Sequence, residues 1–238
     1  NLPALTATFA KYDLALPAPQ LAQVQQALIT APLVSAVVPT LPLTQLAPVT
    51  QDLLALKAWT APALTETFAK YDVVLPVQQL TSLQQALVTA PLVQAAVPTL
   101  PLTQLAPITQ AIIQLPALTT PALTETFAKY DVTLPTQQLT TLQQSLITAP
   151  LVQAAVPTLP VTQLAPVTRD LVGLQSLNLP ALTATFAKYD LALPVPQLAQ
   201  VQQALITAPL IQRAIPTLPV TQLAPVTADL VGLPSLTI

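Results

Sequence analysis

The chain has 238 residues, a formal net charge of −2, no Cys and no His, and it is 53% hydrophobic but only 7% charged. Ordinary globular domains carry about 25% charged residues, and disorder needs low hydrophobicity with high charge, so this composition describes a chain that folds under a neutral polar cover of Gln and Thr. The same composition excludes a field that would attract nucleic acid, a disulfide framework, thiolate metal sites and a histidine switch.

In chain order, the first proline-bounded run covers about residues 4–12. It carries Leu5, Phe9 and Tyr12 at spacings of four and three, which puts them on one helical face. The second run, about 18–31, sets Leu21, Val24 and Leu28 on a stripe with Gln23, Gln25 and Gln26 largely off it, making it the clearest amphipathic helix. Pro32 is expected to divide this helix from a brief apolar run over about 32–38, because proline deep in a helix removes a hydrogen bond and clashes with the preceding turn. Pro39 and Pro42 then set off a last run, about 44–57, which aligns Leu46, Val49, Leu53 and Leu56, with Pro48 either starting the helix or kinking it.

This pattern repeats. Phe-Ala-Lys-Tyr-Asp occurs at 9–13, 68–72, 127–131 and 186–190, a step of 59 residues, and Pro17, Pro76, Pro135 and Pro194 keep the same step. The chain therefore divides into repeats at 1–59, 60–118, 119–177 and 178–238. Repeated proline argues against central strands, and Gly occurs only at 173 and 232, which leaves few tight hairpin turns. The expected fold is all-α: a tandem array of four 59-residue proline-punctuated helical repeats, solenoid-like or as stacked helical bundles. A body of about 60 residues closes its own core poorly, and stacked neighbours would relieve that. The first and fourth repeats share Thr-Ala-Thr-Phe while the second and third share Thr-Glu-Thr-Phe. That outer-inner-inner-outer order reads either as end units adapted to solvent or as a trace of duplication.

Catalytic groups are scarce. Glu66 lies six residues before Asp72, and Glu125 before Asp131, on different helical faces, and Ala7 and Ala184 replace the Glu in the outer repeats. The serines have no His to act as base, no glycine-rich phosphate loop exists, and the acids are too isolated for a metal cage, so the chain reads as no enzyme and as needing no cofactor. The stretch 14–51 carries no charge, yet Pro32, Pro39 and Pro42 interrupt it and Arg213 stands in its fourth counterpart, which argues against a membrane-spanning helix.

One cluster in the repeat always joins aromatic and charged residues. Phe9 and Tyr12, with Phe68, Tyr71, Phe127, Tyr130, Phe186 and Tyr189, read as core beside a helix-ending turn, or as the lining of an apolar groove for a hydrophobic small molecule or lipid. Trp59 is unique and falls between the first two repeats. The expected function is that of a non-catalytic repeat protein that carries hydrophobic material such as lipid or pigment, or spreads at an apolar interface as a surfactant. Alternatives are self-association into a fibre or coat, or a multivalent protein-binding scaffold. The start at Asn1-Leu-Pro without a basic-then-apolar leader is what a mature secreted protein would show, and a cytosolic protein would look the same.

Overall fold

Proline and small polar residues set where each helix begins. The computed structural model describes residues 2–11, 15–56, 59–215, 218 and 220–231, and twelve helices and no strand occur among them. In chain order they are α1 (Leu2–Ala10), α2 (Ala18–Val37), α3 (Leu43–Ala55), α4 (Ala61–Ala69), α5 (Val77–Ala96), α6 (Leu102–Ile113), α7 (Thr120–Ala128), α8 (Thr136–Ala155), α9 (Val161–Val172), α10 (Leu179–Ala187), α11 (Val195–Ala214) and α12 (Val220–Val231). A short, a long and a medium helix thus fall in each 59-residue period of the sequence.

The short helices α4, α7 and α10 start on side-chain caps. Thr60 Oγ1, Thr119 Oγ1 and Asn178 Oδ1 accept from the amides of Ala63, Ala122 and Ala181 at 3.4, 3.3 and 2.8 Å, and a proline occupies the first turn of each of these helices, where its missing N–H costs nothing. The long helices start directly after Pro17, Pro76, Pro135 and Pro194, whose extended ψ near 150° turns the chain into the first turn.

The long helices correct one expectation. Pro32 does not end the amphipathic run: α2 continues through it to Val37, and α5, α8 and α11 pass Pro91, Pro150 and Pro209 in the same way. Proline inside a helix costs about 3 kcal/mol and one hydrogen bond. Against that cost, an unbroken α2 keeps Leu21, Ile29, Leu33 and Val34 all buried, which a break at Pro32 would have split between two short helices. Pro48 likewise lies inside α3.

The chain divides within α6 into two compact units, Asn1–Pro107 and Ile108–Ile238. In the first, α2 packs on α1, α3 and α5, while α4 packs on α3 and α5. In the second, α8 packs on α7, α9, α11 and α12, α10 packs on α9 and α11, and α11 packs on α12. Three buried threonines are satisfied within their own helices: Thr67, Thr126 and Thr185 donate to the carbonyls of Ala63, Ala122 and Ala181 at 2.9, 2.8 and 2.9 Å. No helix among the described residues is long and apolar enough to cross a membrane.

Candidate functional site

The Lys-Tyr-Asp cluster begins as a helix end. After α4, the amide of Val73 donates to the carbonyl of Phe68 at 3.1 Å and the amide of Asp72 to that of Ala69 at 3.1 Å, the paired bonds of a Schellman turn. Such a turn needs a left-handed residue at its penultimate position, and Asp72 supplies it with φ 56°; Asp131 and Asp190 do the same after α7 and α10 with φ 58° and 57°. Aspartate is among the few residues other than Gly that visit this region, because its short side chain bonds locally. In the first period, Tyr12 and Asp13 lie outside the described residues.

The turn aims the preceding Lys and Tyr at the medium helix of the period before. Tyr71 Oη donates to Asp52 Oδ2 at 3.2 Å and Lys70 Nζ lies 3.5 Å from the same oxygen. The arrangement recurs in the second unit, where Tyr189 Oη donates to Asp170 Oδ2 at 3.1 Å and Lys188 Nζ stands 3.4 Å away. Partial burial pushes the Tyr71 and Tyr189 phenols above their ordinary range, and the hydrogen bond and negative charge of Asp52 and Asp170 push them further in the same direction. The sequence places Ala111 where Asp52 and Asp170 stand, and Lys129 pairs instead with Glu125, one turn back on α7, at 3.6 Å.

Beneath this polar clasp lie the aromatic rings that the sequence offered as a groove lining. Phe68, Phe127 and Phe186 are completely enclosed, Phe9 is half-buried, and Tyr71, Tyr130 and Tyr189 are half-buried with their rings beside the turn. The structure thus brings Tyr71 and Tyr189 together with Asp52 and Asp170, acids that the sequence pattern did not single out because they recur in only three of the four periods.

Two further groups tie the junctions. Trp59, buried, donates from Nε1 to the carbonyl of Leu53 at 2.9 Å and so satisfies the end of α3. In the second unit Gln143 and Gln202 on the long helices donate to the linker carbonyls of Leu118 and Leu177 at 2.8 and 2.7 Å. A Gln off the apolar stripe had read only as surface cover.

Around the clasp, the junction inside each unit is apolar. Where the first period meets the second, Leu33, Val38, Val49 and Leu53 on one side and Leu64, Phe68, Leu83 and Leu87 on the other are all buried. Where the third meets the fourth, Leu151, Val156, Val167 and Leu171 correspond on one side, with Leu182, Phe186, Val201 and Leu205 on the other. Two counterparts in the first and fourth periods are exposed instead: Leu210 on α11 is 58% exposed against 1% for Leu33 and 3% for Leu151, and Leu28 on α2 is 42% exposed against 1% for Leu87 and 7% for Leu205.

Among the described residues no group of three or more His, Cys, Asp or Glu gathers as a metal ion would require. No family model matches the chain, and neither a curated protein nor a solved structure matches it.

Proposed function

We propose that the chain is a tandem array of four 59-residue helical repeats and that it acts as a non-catalytic structural protein, associating with further copies through apolar helix faces. The observation that carries this reading is the pair of uncovered faces on the first and fourth periods, which hold the same residue types that the internal junctions bury. Polar end caps are what keep a soluble repeat array from adding further units. Here the corresponding faces carry Leu28, Ile206, Leu210 and Ile215 in contact with water. Exposed aliphatic groups of this kind gain about 25 cal/mol for each Å² they remove from water on association.

A carrier of lipid or pigment would use the same grease differently, by enclosing a guest. The enclosed Phe68, Phe127 and Phe186 weigh against the groove those rings were to line, and favour protein surfaces meeting protein surfaces. Light scattering over a concentration series, with electron microscopy of the concentrated sample, tests the reading: a structural protein grows in mean mass with concentration. A particle that stays at 25.0 kDa and releases a hydrophobic compound on solvent extraction would instead establish the carrier.

A further inference from the structure

The two uncovered faces are the two halves of one junction. On the fourth period, Ile206, Leu210 and Ile215 are exposed, and Val226 and Leu230 on α12 are half-buried, whereas their counterparts in the third period, Ile147, Leu151, Val156, Val167 and Leu171, are all buried. On the first period, Leu5, Phe9 and Val24 are half-buried and Leu28 is exposed, whereas their counterparts in the fourth, Leu182, Phe186, Val201 and Leu205, are buried. One period lacks a cover over its trailing side and the other over its leading side.

The chemistry of the two faces matches. Helices α1 and α10 are the same nine residues, LPALTATFA, so the first period offers the surface that the fourth already sets against the third. Helices α9 and α12 differ at one position in twelve, Arg169 against Ala228, so the fourth period offers nearly the surface on which the third receives it. The sequence repeats the charged residues of the clasp on the two periods. Asp229 on α12 is exposed at the place held by Asp52 and Asp170, and Lys11, exposed, precedes Tyr12 as Lys70 precedes Tyr71.

We infer that a second copy of this chain seats its first period on the fourth period of the first copy, head to tail, reproducing between molecules the junction that joins the third and fourth periods within one. The inference rests on the self-association reading and names its partner, its two faces and its polarity. Because the contact is heterologous, every addition leaves one face of each kind open, and growth continues unless the rotation closes a ring.

Sedimentation velocity on the 238-residue chain, Leu28→Glu, Leu210→Glu and an equimolar mixture of the two variants tests the inference. Both substituted leucines are exposed, and unchanged far-ultraviolet circular dichroism verifies that each variant folds. The parent chain is expected to pass beyond the mass of a dimer as concentration rises. Each variant alone is expected to stay at the monomer mass of 25.0 kDa, because one of its two faces carries a charge that the junction would bury. The mixture is expected to stop at the dimer, since the intact first period of Leu210→Glu meets the intact fourth period of Leu28→Glu. Parent assembly that neither substitution interrupts, or a mixture that stays monomeric, overturns the head-to-tail contact while leaving self-association standing. A parent chain that stays monomeric at every concentration overturns both.

Discussion

At the scale of single residues, the turn after α4, α7 and α10 stores a small, testable strain. Asp131 stands at φ 58°, a conformation that costs an L-residue roughly 1–2 kcal/mol and Gly almost nothing, partly offset by the larger freedom Gly loses on folding. Asp131→Gly is therefore expected to stabilise the fold by about 0.5–1 kcal/mol, and Asp131→Val to weaken it by at least that much, both read from urea denaturation midpoints. Nothing in the composition pointed to this, because an Asp that begins a turn and an Asp held left-handed look the same in sequence. The Tyr71 and Tyr189 phenols make a second case. Their pKa is raised in the folded state by burial first and then by the neighbouring carboxylate, so the folded chain holds these protons more tightly than the unfolded one. The stabilisation is complete below about pH 10, the ordinary phenol value, and is lost as pH climbs through the raised value. Thermal melts followed upward from neutral pH should show the parent losing stability more steeply above about pH 10 than Tyr71→Phe combined with Tyr189→Phe, with the two curves parallel below it. The pairing behind this effect was half legible: the Lys-Tyr-Asp cluster recurs in every period, but its acceptors Asp52 and Asp170 lie 19 residues upstream on another helix.

At the scale of elements, helix starts were legible and helix ends were not. Proline marked where α4, α7 and α10 begin, because it is tolerated in the first turn of a helix and not deeper, and the structure adds the Thr or Asn cap before it. Pro32, Pro91, Pro150 and Pro209 looked like breaks and are not, since the packing of the residues on both sides outweighs one lost hydrogen bond. That balance depends on what lies across the helix, which no local rule contains. The same dependence predicts unequal consequences for one substitution at equivalent positions. Leu151→Ala on α8 removes a side chain that is 3% exposed and should cost about 2–5 kcal/mol, whereas Leu210→Ala on α11, at a site 58% exposed, should stay within about 0.5 kcal/mol in dilute, monomeric solution. Denaturant midpoints of the two variants, taken side by side, check the contrast. Residues identical in type and in place within the period differ only in whether a neighbour covers them.

At the scale of the whole molecule, low charge governs how the chain meets its surroundings. With a net charge of −2 and exposed leucines on the first and fourth periods, little long-range repulsion opposes association, and association through those faces should respond weakly to salt. A head-to-tail assembly that dissolved on raising ionic strength would indicate instead that the Asp229 clasp, and not the apolar face, dominates the contact. The sequence by itself determined the helical class, the 59-residue period and the absence of His and Cys chemistry, because periodicity, proline placement and composition act within a few turns of chain. Only the tertiary structure decided that each long helix runs through its proline, that Phe68, Phe127 and Phe186 are enclosed while Phe9 is half-buried, and that the first and fourth periods keep open what the first–second and third–fourth junctions close. Burial is a property of pairs of surfaces, and two identical stretches of sequence acquire different fates according to which surface lies opposite.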